Sequence, residues 1–158
     1  SGAFDKFVLS DGMIGQSLVD AFPKGLKKSF GTMPGSTGKG AGVFADVAKG
    51  AGIDSSGPYT GESYDAAALI MLAMQAAGSS NPADYKSKVF DVANAPGEKI
   101  QKGELAKGMK ILAAGGEIDY VGASQVELVG AGEAKGVYKE IEIKGGKLTT
   151  VGLRIPSL

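Results

Sequence analysis

The chain has no cysteine, no histidine and no tryptophan. The lack of cysteine excludes disulfides and thiol nucleophiles, and the lack of histidine removes the commonest general base and most zinc or iron sites. Lysine plus arginine number 17, as do aspartate plus glutamate, so the formal net charge is zero. A neutral chain has no bulk attraction for nucleic acid or an anionic membrane. We therefore expect no nucleic-acid partner, no metal and no cofactor.

The rest of the composition is typical of a folded soluble protein, with 43% hydrophobic and 22% charged residues among 158. Its 26 glycines lie between periodic apolar segments, which favours an α/β domain with many tight connections. The first ten residues contain Asp5 and Lys6 and no long apolar run. No signal peptide is therefore visible, as expected for a mature or truncated chain.

One segment predicts a strongly apolar helix over residues 63–77. From Ala66 to Met74 no side chain is polar, Thr60 or Ser63 can serve as the N-cap, and Gly78 ends the helix. The segment is shorter than the roughly 20 apolar residues that cross a bilayer. Such a helix must be covered on most sides, so we expect it at the centre of a layered domain.

The remaining pattern predicts strands at both ends of the chain and helices in its middle. Before the apolar helix we predict a buried strand (4–9), a helix (15–22), a strand (27–32), an extended segment (33–37) and a helix (40–51). After it we predict a helix starting at Pro82, a helix over 103–114, short extended pieces at 118–121 and 126–129, and strands at 137–144 and 147–154 joined by Gly145 and Gly146.

This order indicates two bodies. The strands of the two ends can share one sheet while the middle packs elsewhere, so two connections join them, one at 33–37 and one on the approach to Val137.

Two glycine-rich segments resemble nucleotide-binding loops but fail their patterns. When residues 35–40 are aligned with a phosphate-binding loop, Gly40 stands where a Mg²⁺-binding hydroxyl is needed. Met33, two residues before the segment, stands where the first glycine of the pattern is needed. Residues 130–136 have the wrong spacing and precede a strand rather than a helix. We interpret the first as a connection before a helix and the second as a turn.

The carboxylates give one candidate ligand contact. Asp11 follows a strand, where ligands bind in α/β folds and where a carboxylate can hold an ammonium group; the alternative is a turn-stabilising aspartate before Gly12, which allows the turn. Tyr59 is either an aromatic wall with a polar tip or a packing residue after Pro58. Glu62 and Asp65 flank a helix start, where the helix dipole alone explains them. No acid–base pair is evident, so we expect no enzyme.

Several segments occur in a fixed order along the chain: FVLSDGM (7–13), GTMP (31–34), PY (58–59), SYDAA (63–67), DYVGAS (119–124), VEL (126–128), Gly132, GVY (136–138) and GGKL (145–148). Together they resemble the C-terminal part of bacterial solute-binding proteins of the branched-chain amino-acid type, the periplasmic binding protein type 1 family. The likeness spans nearly the whole chain, and its specificity comes from the ordered combination.

The resemblance implies an α/β fold of two three-layer lobes joined by hinge crossings, of which this chain supplies only the C-terminal portion. Residues 1–33 and 141–158 would belong to the C-terminal lobe and 37–135 to the N-terminal lobe. The hinge crossings would lie at 33–37 and 135–141. The core of the N-terminal lobe and the first crossing would lie in a missing N-terminal part of the same protein.

The resemblance also implies a ligand site. Asp11 falls where an acidic residue receives the ligand's α-ammonium, next to Gly12 and Met13, and Tyr59 falls where an aromatic side chain lines the pocket. The donors that bind the ligand's carboxylate would lie in the missing part, so this chain holds at most half of the site.

The function implied is the extracytoplasmic, periplasmic solute-binding component of an ABC importer, with a signal peptide in its precursor. An amino acid or related small amide is captured in an interlobe cleft by lobe closure, and the membrane permease recognises the closed form. The alternative within the same architecture is a ligand-sensing domain of a receptor or regulator. An enzyme, or a proteolytic remnant with no function of its own, are the other possibilities.

Overall fold

The computed structural model describes residues 3–35, 40–55 and 57–155, with the side chains of 40–43 left out. The chain divides into two compact units. Unit 1 contains Ser1–Gly35, Gly57–Tyr59 and Gly136–Leu158, and unit 2 contains Ser36–Ser56 and Thr60–Lys135. Both ends of this chain thus belong to unit 1, and the middle forms unit 2 except for Gly57–Tyr59, which is grouped with unit 1.

The helices and strands alternate irregularly along the chain, as in a mixed α/β fold. In chain order they are β1 (Val8–Leu9), a 3-10 turn (Asp11–Met13), α1 (Gln16–Ala21), β2 (Phe30–Gly35), α2 (Gly40–Gly50), α3 (Thr60–Ala77), α4 (Pro82–Tyr85), α5 (Lys88–Ala93), β3 (Glu98–Gln101), α6 (Leu105–Ala113), β4 (Ile118–Gly122), β5 (Leu128–Val129), β6 (Glu133–Ala134), β7 (Val137–Lys144) and β8 (Lys147–Arg154). The predicted α/β class is confirmed.

Unit 1 is built on a four-stranded sheet in the order β1-β2-β7-β8. β1 runs parallel to β2, whereas β7 is antiparallel to both β2 and β8. Its buried core combines side chains from the sheet and from the segment around α1: Leu9, Ile14, Val19, Leu26, Ile141 and Ile143. The strands from the two ends of the chain therefore share one sheet, as their pattern predicts.

The β7–β8 hairpin is the strongest local prediction and is confirmed. Gly145 and Gly146 both have positive φ, 59° and 76°. Two consecutive left-handed residues make the type I′ geometry that matches the twist of paired strands, and glycine adopts it without strain.

The first two strands differ from their predicted bounds. The predicted buried strand at 4–9 is reduced to Val8–Leu9, because only these residues pair, with Phe30 and Gly31; of the segment, Leu9 alone is buried. The second strand begins three residues later than predicted and continues to Gly35, because β7 pairs with it that far. β1 pairs with β2 as far as Gly31, so at Pro34 the described strand that pairs with β2 is β7. Proline has no amide hydrogen to donate, and it is tolerated here because β2 is an edge strand at this point.

Unit 2 packs its helices around α3. This helix contacts α4, α5 and α6, and the parallel pair β3–β4 lies against α5 and α6. The buried core is formed by α3, α5 and the two strands: Ala68, Leu69, Leu72, Ala73, Val92, Ala93, Ile100, Ile118 and Tyr120. The apolar helix α3 is therefore central within unit 2, as predicted.

Helix α3 corrects two details of its prediction. It begins at Thr60 rather than at residue 63, so neither Thr60 nor Ser63 is the N-cap. It ends where predicted, before Gly78 with φ 63°. The expectation that it is covered on most sides is wrong, because Ile70 and Met71 are 42% and 41% exposed. The described residues pack on the opposite side of the helix.

The shorter elements follow local signals with shifted ends. Asn81 caps α4 by accepting a hydrogen bond from the Ala83 amide at 3.1 Å, but the predicted single helix from Pro82 is two short ones, α4 and α5. Helix α6 starts at Leu105, two residues after the predicted start at residue 103. Strand β3 was not predicted from the sequence.

The two rejected nucleotide loops have different outcomes. The segment 130–136 contains the β5–β6 turn, with Gly130 and Gly132 at positive φ, so the turn interpretation is confirmed. Residues 36–39 of the segment 35–40 lie outside the described residues, and these include residues 36 and 37 of the predicted extended segment 33–37.

Candidate ligand-binding site

Asp11 lies on a 3-10 turn that directly follows the end of β1. The turn is held by the Met13 amide donating to the Ser10 carbonyl at 2.9 Å and the Ile14 amide donating to the Asp11 carbonyl at 3.0 Å. β1 is parallel to β2, so the turn leaves the sheet at the carboxyl end of a parallel pair. This is the edge of an α/β sheet at which ligands characteristically bind.

Each carboxylate oxygen of Asp11 accepts a hydrogen bond. The Gly12 amide donates to Oδ1 at 2.6 Å, and the Tyr59 hydroxyl donates to Oδ2. The Tyr59 hydrogen bond, and after it the Gly12 amide, hold the pKa of Asp11 below its usual value of 3.8. Asp11 is therefore ionised at neutral pH and presents a negative charge on a half-exposed turn.

Tyr59 reaches Asp11 from the short segment Gly57–Tyr59, which is grouped with unit 1 although its neighbours on both sides belong to unit 2. Its backbone φ is 63°, a left-handed conformation that is uncommon for a residue with a side chain. Such conformations persist where surrounding contacts hold them, and they concentrate at ligand sites. The ring remains 40% exposed.

Gly12 and Met13 complete the four predicted site residues. Gly12 contributes its amide, but its backbone is not left-handed and an added Cβ would meet no atom within 4 Å. The turn therefore does not require glycine, contrary to the role we expected for it. Met13 lies on the same turn with 53% of its surface exposed, which offers an apolar side chain next to the carboxylate.

Asp65 is a polar residue whose role sequence reasoning missed. It is 2% exposed on α3 and accepts hydrogen bonds from the Tyr120 hydroxyl (2.9 Å), the Ala123 amide (2.8 Å), the Ser124 amide (2.6 Å) and the Ser124 hydroxyl (2.7 Å). Burial, and after it the neighbouring carboxylate, raise the pKa of Tyr120 well above its usual value. The main interactions of the Asp65 carboxylate are therefore these hydrogen bonds, and not the helix dipole that we invoked from the sequence.

Gly122 explains how the chain approaches Asp65 so closely. Its φ is 62°, and an added Cβ would lie 2.2 Å from Asp65 Oδ1. The signal available in the sequence is a lone acidic residue at the edge of a wholly apolar run, together with a glycine directly after a strand. Because the donors lie more than 50 residues away, spacing alone does not reveal the pair.

Unit 2 also has an open cavity of about 500 Å³ lined by residues of α3, α5, α6 and β4. Its charged pair, Lys88 and Asp91, is already joined by an ion pair at 2.8 Å. Asn94 is likewise used, since its side chain exchanges two hydrogen bonds with the backbone of Leu128. Glu117 is the other charged residue of the cavity lining.

The described ranges contain neither a cluster of metal-ligating residues nor a helix that could span a membrane. No group of three or more carboxylates there is placed to hold a metal ion. None of the helices described is both long enough and apolar enough to span a bilayer.

Comparison with known proteins supports the fold. No protein-family model matches the sequence. The structure resembles that of the leucine-binding protein LivK from Thermotoga maritima with a TM-score of 0.65 and 16% identity, over 96% of this chain and 37% of that chain. The chain therefore has the α/β fold of part of a periplasmic binding protein type 1.

A curated relative matches part of the sequence. The substrate-binding protein BasB of a chemotactic signal transduction system in Halobacterium salinarum is 35% identical over 75 residues, which is 47% of this chain and 18% of that protein. This chain thus spans well under half the length of both similar proteins. Both are named as binding proteins, in agreement with the expectation that the chain is not an enzyme.

Proposed function

We propose that this chain is part of an extracytoplasmic solute-binding protein that captures an amino acid or a related small amide. The observation that carries the proposal is the ionised Asp11 carboxylate, which lies on a turn at the carboxyl end of a parallel strand and accepts a hydrogen bond from the hydroxyl of the partly exposed Tyr59. A carboxylate in such a position binds a ligand's ammonium group through charge-assisted hydrogen bonds. The names of the two similar proteins support the same class of function.

In this proposal each site residue has one role. Asp11 receives the α-ammonium, the Gly12 amide orients the carboxylate, and Tyr59 and Met13 line the space for the ligand's side chain. The hydroxyl and backbone amide donors that bind the ligand's carboxylate would belong to an N-terminal part of the same protein.

The mechanism proposed is lobe closure without chemistry. Unit 1 would be part of the C-terminal lobe and unit 2 part of the N-terminal lobe, with hinge crossings at 33–37 and 135–141. A ligand stabilises the closed form because it gains contacts with both lobes only there. We further propose a periplasmic location, a signal peptide in the precursor, and recognition of the closed form by an ABC permease.

A second candidate is a ligand-sensing domain of a receptor or regulator with the same architecture. It is favoured by the similarity to BasB, whose name assigns it to chemotactic signalling. The two candidates share the ligand site and differ in the membrane partner of the closed form, so pull-down with either class of partner separates them.

The site is tested by calorimetric titration with a panel of amino acids and amides. We expect Asp11→Ala to weaken binding at least about 30-fold, because removing one member of a charged, hydrogen-bonded pair costs that much or more. Asp20→Ala makes the same charge change on α1 and should leave affinity unchanged. We expect this chain alone to bind at least ~100-fold more weakly than a protein that carries both halves of the site. Unchanged affinity in Asp11→Ala would remove this residue from the site.

A further inference from the structure

The open cavity of unit 2 has the size of a small-molecule site. Its volume of about 500 Å³ lies within the range in which proteins bind small ligands. All of its lining residues belong to unit 2, whereas the Asp11 turn belongs to unit 1. A ligand in this cavity would therefore be additional to the solute that we assign to the Asp11 turn.

The walls of the cavity are held in place by hydrogen bonds. After α5, the Asn94 side chain donates to the Leu128 carbonyl at 2.8 Å and accepts from the Leu128 amide at 2.9 Å. After α6, the Gly116 amide donates to the Ile111 carbonyl at 2.9 Å. A wall that is already ordered loses little conformational entropy when a ligand binds, which favours affinity.

The inner part of the lining is apolar. Val92 and Ile118, which are each 1% exposed, belong to it. The half-buried residues Ala76, Phe90 and Leu112 extend this apolar surface. Burial of a hydrocarbon group against such side chains is favourable because it removes apolar surface from water. The cavity can thus accept a ring or a branched alkyl group.

The charged residues of the lining leave a negative balance. Lys88 and Asp91 neutralise each other in their ion pair at 2.8 Å. The carboxylate of Glu117 has neither an ion-pair nor a hydrogen-bond partner in the part of the chain that the structure describes. An anionic ligand would have to displace Asp91 to reach Lys88, whereas a cationic ligand meets the available charge of Glu117.

Two helix ends add to the negative charge at the cavity. Helix α3 ends directly after Ala76, and helix α6 ends directly after Leu112 and Ala113. The carboxyl end of a helix carries a partial negative charge, which favours a cation nearby. Lys110, the basic residue in the last turn of α6, is not part of the lining.

We propose that the unit 2 cavity is a second binding site, which takes a small organic cation with an apolar body, such as an arylalkylammonium. The apolar body contacts the inner lining around Val92 and Ile118. The cation lies toward Glu117 and the two helix ends. This site does not depend on the solute site at Asp11.

The test is a titration of the ¹⁵N-labelled chain with phenethylammonium, phenylacetate, phenethyl alcohol and methylammonium. The amides of Gly115 and Gly116 report on the cavity, and the Gly12 amide reports on the Asp11 turn. We expect phenethylammonium to shift the Gly115 and Gly116 resonances saturably at a concentration at least about tenfold lower than phenylacetate or methylammonium, because each of these lacks either the positive charge or the ring. Phenethyl alcohol should bind with intermediate affinity.

Two variants test the charge and the space separately. Glu117→Gln should lower the preference for phenethylammonium over phenylacetate at least about threefold. Asp46→Asn makes the same charge change at an exposed residue of α2 outside the lining, and it should preserve the preference. The longer side chain in Ala76→Leu should occupy part of the cavity and weaken phenethylammonium binding at least about fivefold, with the remaining amide spectrum retained.

Equal or tighter binding of phenylacetate or of methylammonium would overturn the proposal. Full preference in Glu117→Gln, full affinity in Ala76→Leu, or the absence of any shift at Gly115 and Gly116 would overturn it as well. None of these results concerns the solute site. If the cations shift the Gly12 resonance alone, the unit 2 cavity is not a binding site and the proposal for Asp11 stands.

Discussion

Asp11 and Asp65 are the same residue type in opposite surroundings. Asp65 is 2% exposed in unit 2, and its carboxylate accepts hydrogen bonds from one tyrosine and from two consecutive residues after β4. Asp11 is half-exposed on a turn of unit 1 and accepts from one amide and one phenol. The Asp65 carboxylate has its acceptor positions filled from within its own unit, whereas the Asp11 carboxylate, to which we assign the ligand's ammonium in our proposal, accepts fewer hydrogen bonds from the described residues.

The comparison teaches that donor count and burial, rather than residue type, distinguish the structural carboxylate of Asp65 from the Asp11 carboxylate, which we propose binds a ligand. A buried polar group stabilises a fold only when its hydrogen bonds are complete. An exposed carboxylate with few donors adds little to stability, so its loss should be visible mainly in binding. The predictions below test this contrast.

The largest effect is expected from Asp65→Ala. The substitution leaves the Tyr120 hydroxyl and the amides of Ala123 and Ser124 without their acceptor, so we expect a loss of at least about 3 kcal/mol in the free energy of unfolding. Urea unfolding followed by far-UV circular dichroism measures it. Asp91→Ala removes an exposed ion pair of the same unit and should cost at most about 1 kcal/mol. Similar losses in the two variants would contradict the structural role of Asp65.

A smaller loss is expected from Gly122→Ala, which tests how closely the backbone approaches Asp65. The new Cβ would lie 2.2 Å from Asp65 Oδ1 at φ 62°. We expect a cost of about 2–3 kcal/mol from strain and displacement together. Gly145→Ala is the matched control, because its φ is 59° and no atom lies within 4 Å of its added Cβ. The control should lose only about 1 kcal/mol, and equal losses would show that the contact with Asp65 is unimportant.

The smallest effect is expected from Asp11→Asn, whose melting temperature at neutral pH should change by less than about 2 °C. The folded-state pKa of Asp11 lies below its usual 3.8, so its contribution to stability is present above that value and is lost as the pH falls through the folded pKa. The difference between wild type and variant should therefore be constant from pH 7 to about pH 5 and shrink below pH 4. Tyr59→Phe, which removes the larger cause of the shift, should reduce the difference. A difference that grows on acidification would contradict the direction of the shift.

Short sequence motifs correctly predicted those turns and helix ends that depend on neighbouring residues alone. The Gly145–Gly146 turn, the end of α3 at Gly78 and the start of α4 at Pro82 each depend on a few neighbouring residues, and the structure has them where the sequence places them. The α/β class follows from the same patterns.

Features set by distant partners could not be predicted from the sequence. β2 continues to Gly35 because β7, about 100 residues later, pairs with it. Asp65 finds donors around Tyr120 through tertiary packing, and the exposure of Ile70 and Met71 depends on which elements pack on α3. At the candidate site, Asp11 and Tyr59 were predicted separately, but their hydrogen bond and the left-handed backbone of Tyr59 were not.

The pairing of β2 with β7 has a consequence for how the molecule is made. The strand order of unit 1 joins residues from both ends of the polypeptide, so its sheet requires closure of a loop of about 100 residues. Closing long loops slows folding far more than it reduces stability. During synthesis on the ribosome, every residue of unit 2 emerges before the hairpin that completes the sheet of unit 1, so this sheet can be completed only after all of unit 2 has been made.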